Sequence, residues 1–162
     1  MFGISIAFAR ERSVHAAGVS LPIPGDLFLA ARGAGATHNG AAIHVTGLTD
    51  VSRARMELDL SHLGQRHHTL ERAAGLIGSV GQLRCHSSAV VGLCSVAAGE
   101  MEGFFHVGLA PWDYAAGWLI VEEAGGRVTR LDGAPLTLFE SRQGVLASNG
   151  LLHPKFVSLI AA

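Results

Sequence analysis

Along the first third of the chain, apolar residues recur at every second position. Phe2, Ile4, Ile6 and Phe8 alternate with small residues, which is the period of a strand with one buried face. Ser13–Leu21 is a second strand candidate, Pro22, Pro24 and Gly25 interrupt it, and Asp26–Arg32 gives a third, so the two are expected to form a hairpin. Gly33, Gly35, Asn39 and Gly40 mark tight turns, and Ala42–Thr46 and Arg55–Leu60 read as strands around a loop at 47–52. Residues 1–60 are therefore expected to form a strand meander.

From Thr69 the period lengthens. Leu70, Ala73, Ala74 and Ile77 fall on one helical face, and Gly78 and Gly81 end it before a short strand at Gln82–Cys85. Ser87–Gly99 predicts a second helix that is small and apolar nearly all round, hence buried. Gly103–Val107 reads as strand, and Asp113–Ala124 as a third helix opened by Pro111 and closed by Gly125 and Gly126. Arg127–Leu131 and Gly144–Ser148 are further strands, and Pro154–Ala161 is a closing helix. Strands alternating with helices over 66–162, after a meander, predict a layered α/β (α+β) fold with a mixed sheet flanked by helices, in one domain.

Composition narrows the function classes. The 162 residues are 49% hydrophobic and only 15% charged, which excludes disorder and points to thorough burial or an extensive interface. Twelve basic side chains face thirteen acidic ones, so no overall field draws the chain to nucleic acid or anionic lipid. No apolar run is long enough to span a membrane, and Met1–Ala9 lacks a basic leader, so a cytoplasmic location is expected. Cys85 and Cys94 stand outside any metal-ligand spacing and are expected to be buried, reduced thiols.

Chemistry concentrates at two predicted helix starts. Asp113 lies where free N–H groups and the helix dipole keep a carboxylate ionised and fixed; such a group either caps the helix or binds Mg²⁺. Ser87, Ser88 and Ala89 open the buried helix, where hydroxyls and unpaired N–H groups suit either an ordinary cap or a phosphate. Other polar residues read as structural. Glu57 and Asp59 fit a pair of surface carboxylates better than a cation site, and Glu100 and Glu102 fit solvated positions. His62, His67 and His68 fit a polar turn better than a Zn²⁺ site, His86, which adjoins Ser87 and could reach a phosphate, fits a strand end better, and Cys94 fits a packing position better than a nucleophile.

The stretch Pro111-Trp112-Asp113-Tyr114-Ala115-Ala116-Gly117, followed by Glu123-Ala124-Gly125-Gly126, resembles the inositol monophosphatase family of Mg²⁺-dependent, Li⁺-sensitive phosphomonoesterases. Ala31-Arg32-Gly33-Ala34-Gly35-Ala36, Asn39-Gly40 and Ala147-Ser148-Asn149 extend the resemblance in order along the chain. It implies an αβαβα sandwich, a homodimer, and metal-activated water attacking a small sugar or polyol phosphate such as an inositol phosphate. Asp113 would be a metal ligand that also touches substrate. Ser87, Ser88 and Ala89 fall where the family has a substrate-contacting Gly-Thr-Ala, and His106 falls where inositol-specific members carry a Glu that bonds a ring hydroxyl. His106 therefore weakens the case for inositol itself.

The same resemblance identifies an absence. The family's metal-binding Glu and its Asp-Pro-Leu/Ile-Asp-Gly-Thr segment precede the strand with which this chain opens, and Leu131-Asp132-Gly133-Ala134 lacks the Thr and reads as a β-turn. The chain is thus expected to be the C-terminal portion of a family member. Asp113 alone does not supply the charge to hold two divalent ions and acidify a water, so negligible unaided activity is expected. Uncovered apolar surface is expected to favour association. The alternative is a catalytically inactive remnant that serves as a dimerisation or regulatory module.

Overall fold

A computed structural model describes residues 2–60 and 62–161. Strands β1 (Ile4–Arg10), β2 (Ser13–Leu21), β3 (Asp26–Ala31), β4 (Gly35–His38) and β5 (Ala41–Ala42) form an antiparallel meander in sequence order. The β2/β3 pairing of Leu21 with Asp26 is the expected hairpin. The anticipated turns at Gly33–Gly35 and Asn39–Gly40 bracket a strand, β4, that four residues of weak pattern did not announce. The strand expected over Ala42–Thr46 stops at Ala42, because Val45 donates its N–H to Ala124 O at 3.0 Å rather than to a strand neighbour.

Strand β6 (Arg55–Leu58) leaves the meander. It joins β7 (Gln82–Arg84), β8 (Gly103–Leu109), β9 (Arg127–Thr129) and β10 (Gln143–Ser148) in a second sheet of order β7-β6-β8-β10-β9. That sheet is mixed, since β6 runs parallel to β7 and β8 while β10 is antiparallel to β8 and β9. Among the described residues there are four α-helices: α1 (Arg66–Ala73), α2 (Ala89–Ala97), α3 (Pro111–Glu123) and α4 (His153–Ala161).

Period-two alternation in the second sheet separates two cores. Phe104, Val145 and Ala147 face α2, α3 and the first sheet, whereas Phe105 and Leu146 face α1 and α4 together with Met56, Phe156 and Ile160. The layers therefore run sheet, helices, sheet, helices. Helices α2 and α3 are covered on both sides, which explains their apolar circumference. Helix α1 differs from its predicted form. It starts at Arg66, includes His67 and His68, and buries Thr69 and Ala73, with Leu76 buried just beyond it, while Leu70 and Ile77 stay exposed. The second helix starts at Ala89, two residues later than expected.

Candidate active site

Because β6, β7 and β8 are parallel, their carboxyl ends share one edge of the sheet, and the starts of α2 and α3 follow directly from β7 and β8. Helix N-termini and strand ends thus share one edge of the sheet, the usual side for ligands in such sheets. Asp113 is the third residue of α3. Its Oδ2 accepts the Ala110 N–H at 3.1 Å, and Pro111 opens the helix without wasting a donor. The capping role is real, and Asp113 Oδ1 has no hydrogen bond among the described residues. A carboxylate held this way is oriented and half-buried, as a ligand to a hard cation must be.

At the start of α2 the expected serine cap is not made. Ser88 occupies the N-cap with extended backbone, yet its hydroxyl makes no capping bond, so the hydroxyl and the first N–H groups of the helix stay uncommitted. Ala89 is the first residue of the helix. Ser87 has a φ of +56°, the left-handed region that a side chain adopts at a cost and that glycine adopts freely. The departure from glycine at this position is thus written into the backbone. Ser87 Oγ lies 3.7 Å from Cys85 Sγ. Cys85 is exposed, contrary to expectation, because β7 is an edge strand, whereas Cys94 is buried on α2 and burial pushes its thiol far up.

His106 is buried in β8. Its Nδ1 accepts the Gly108 N–H at 2.9 Å, which assigns the ring proton to Nε2, and Nε2 faces Asp59 Oδ2 at 3.9 Å. Burial lowers the His106 pKa, so the ring is neutral at pH 7, with the charges of Asp59 and Asp113 partly opposing that effect. His62 meets the same ring edge-on at a centroid distance of 6.0 Å. Asp59, Asp113 and His106 thereby belong to one electrostatic neighbourhood.

Glu57 and Asp59 are buried, which corrects their reading as surface carboxylates. The two-residue spacing was visible in sequence, but β6 became interior only when β7 and β8 paired on either side of it. Glu57 Oε2 lies 3.0 Å from His86 Nδ1, so His86 is a bonded residue rather than a bare strand end. Burial raises the Glu57 carboxyl, and the bond to His86 pulls it back part of the way. Glu102 is also buried, not solvated. Its Oε2 accepts Arg55 N at 2.7 Å and Arg55 Nε at 3.2 Å, and its Oε1 meets Arg55 Nη2 at 3.1 Å. Glu100 is exposed as expected.

The glutamate of the Glu123-Ala124-Gly125-Gly126 stretch has a structural task. Its two oxygens accept the N–H groups of Gly33 and Gly35, each at 2.9 Å, and both glycines adopt positive φ. Two stretches far apart in sequence are thus one clamp between α3 and the meander. Asn149 acts similarly, donating to Leu48 O at 2.8 Å and accepting Leu152 N–H at 3.0 Å at the start of α4. The Asp132-Gly133 segment is the anticipated turn, with Asp132 Oδ1 accepting Ala134 N–H at 3.0 Å.

This arrangement sits within a fold seen before. The sequence matches the inositol monophosphatase family over residues 1–162. The chain belongs to that family. It is 40% identical over 139 residues to the chloroplastic phosphatase IMPL1 of Arabidopsis thaliana, covering 83% of this chain and 36% of the relative. It is 36% identical over 135 residues to an inositol-1-monophosphatase of Mesorhizobium japonicum, covering 82% of this chain and 51% of the relative. The crystal structure of the extragenic suppressor protein suhB of Bartonella henselae superposes with a TM-score of 0.92 at 30% identity, over 99% of this chain and 62% of that one. The chain spans only about a third to a half of these two relatives' length.

Family membership does not by itself complete a metal cage. Among the described residues no group of three or more His, Cys, Asp or Glu side chains is placed to hold an ion. Mg²⁺ takes six oxygen ligands in octahedral array, several of them waters, and Asp113 offers one carboxylate. The residues of this chain do not on their own fit the cation. An open groove of about 780 Å³ runs between β1 and the first turn of α3, lined by Ile6, Ala9, Trp112, Ala115, Leu138 and Phe139.

Proposed function

We propose that the chain is the substrate-facing portion of a Mg²⁺-dependent phosphomonoesterase that cleaves a small sugar or polyol phosphate, cytoplasmic and working as a homodimer. The observation that carries this reading is the convergence of Asp113, on the first turn of α3, with the uncapped N-terminus of α2 at the carboxyl ends of the parallel strands. Free N–H groups at a helix start attract phosphoryl oxygens, and a fixed carboxylate beside them attracts the cation that accompanies phosphate.

In this reading Asp113 is a metal ligand and substrate contact, Ser88 and Ala89 receive the phosphate ester, Ser87 shapes their approach, and His106 lies beside the polyol. A neutral His106 whose Nδ1 is taken by the Gly108 N–H offers Nε2–H as a donor beside the Asp59 carboxylate as an acceptor, where a glutamate would present acceptors only. That polarity disfavours inositol and favours a substrate whose hydroxyl is met by the His106–Asp59 pair.

Titration of the purified chain with Mg²⁺ by calorimetry, together with hydrolysis of inositol 1-phosphate and glycerol 2-phosphate, tests this. Expected are weak Mg²⁺ binding, negligible turnover by the chain alone, and turnover after fusion to the preceding segment of a family relative, abolished by Asp113→Asn. Full activity of the unaided chain, unchanged by that substitution, would overturn the reading. A fused protein that binds Mg²⁺ without cleaving phosphate esters would favour the inactive-remnant alternative.

A further inference from the structure

His86 sits two residues beyond β7 and directly before the Ser87-Ser88-Ala89 turn into α2. Its side chain is 39% exposed, whereas its partner Glu57 is fully buried in β6, opposite Arg84 of β7. An ionised carboxylate only accepts, so with Glu57 ionised the 3.0 Å contact calls for a proton on His86 Nδ1. Nδ1 is thus committed to the buried carboxylate, and Nε2 is the ring nitrogen left for a ligand. Among the described residues, the charged groups beside this pair are Asp59, one residue past the end of β6, and Arg84 on β7, and the first turn of α2 contributes none.

The pair does not have the form of a structural ion pair. Glu102, which is structural, uses both oxygens on Arg55. Glu57 uses one, and its Oε1 is buried with no hydrogen-bond partner among the described residues. Burying a carboxylate with an unmatched oxygen costs stability that an apolar residue on the same strand would not. A half-exposed histidine gains little packing in return. Such an arrangement is expected where the histidine's orientation matters for a ligand.

We propose that His86 is a substrate-contacting residue that directs Nε2 at a phosphoryl oxygen arriving at the start of α2, with buried Glu57 as the residue that positions it. The proposal rests on the phosphatase reading above. On binding, Nε2 takes up one proton from solvent, and the ring then donates Nδ1–H to Glu57 and Nε2–H to the phosphate ester, bridging two anions with no other bond made or broken.

Ring-nitrogen NMR of the full chain at constant Mg²⁺ tests it, with glycerol 2-phosphate, inorganic phosphate and plain glycerol as probes. Expected is a saturable shift of the His86 Nε2 signal by the ester, in step with the amides of Ser88 and Ala89. Glu57→Gln and His86→Gln should each weaken binding by about tenfold, the scale of one charge-assisted hydrogen bond, while the remaining amide spectrum stays superimposable. Glycerol 2-phosphate and inorganic phosphate acting alike would assign the contact to phosphoryl oxygens and uphold the proposal, whereas an effect of the ester alone would place it on the ester oxygen and overturn it. Shifts at Ser88, Ala89 and Asp113 with His86 unmoved would overturn the inference and leave the phosphatase reading standing. Equal shifts from plain glycerol would overturn it as well, and no shift at any of these residues would overturn both.

Discussion

Glu123 shows how one side chain can hold two layers together. Both of its oxygens are committed to the backbone of the Gly33–Gly35 turn, so truncation strands two N–H groups that were matched to a carboxylate. Glu123→Ala is expected to destabilise the chain by about 1–3 kcal/mol, read as a lower urea midpoint at pH 7. A midpoint within error of the parent would show the clamp to be idle. His153 provides the second residue-scale test. It is buried between Ser148 Oγ, 2.7 Å from Nδ1, and Thr129 Oγ1, 2.8 Å from Nε2, and burial lowers its pKa from 6.5 to about 4. The unfolded chain then binds the proton more tightly than the folded one. Its contribution is complete above about pH 6.5 and is lost as pH falls toward 4, at most about 3 kcal/mol. Stability measured by urea at pH 7 and 4.5 should fall, and His153→Gln should flatten that fall.

At the scale of elements, strands with a clear alternation were legible and helices were less so. Strand β2 has the predicted bounds because the Pro22–Gly25 turn fixes its end and its partner lies next in sequence. Helix α1 misled because Leu70 and Ile77 look like a core face, yet the neighbour that selects the face is α4, far along the chain, and it meets Ala73 and Leu76 instead. Helix α2 packs so closely on β8 that a Cβ built on Gly92 would lie 2.4 Å from Phe104 Cδ2. Neither the buried ring nor the sandwiched helix has room to retreat, so Gly92→Ala is expected to cost about 1–3 kcal/mol despite the better helix propensity of alanine. A raised melting temperature in that variant would show that the layer spacing yields.

For the whole molecule, the first sheet has one face without cover among the described residues. Ile4, Ile6 and Phe8 on β1 lie across β2 from Leu27 and Leu29 on β3, and all five are exposed. An apolar face ending in an edge strand invites association. Light scattering is expected to show mass rising with protein concentration, and Ile6→Lys with Phe8→Lys to suppress the rise. A monodisperse parent at all concentrations would refute this.

The sequence by itself determined the family, through Trp112-Asp113 and the glycine-bearing stretches, and the layered class, through a period of two giving way to longer periods. Both are local properties, readable from residues a few positions apart. Tertiary structure alone decided that Glu57, Asp59 and Glu102 are interior, that Ser88 leaves its hydroxyl uncapped, and that His86 is tied to Glu57. Those outcomes depend on which strands flank β6, and strand order is set by long-range pairing that no local pattern encodes.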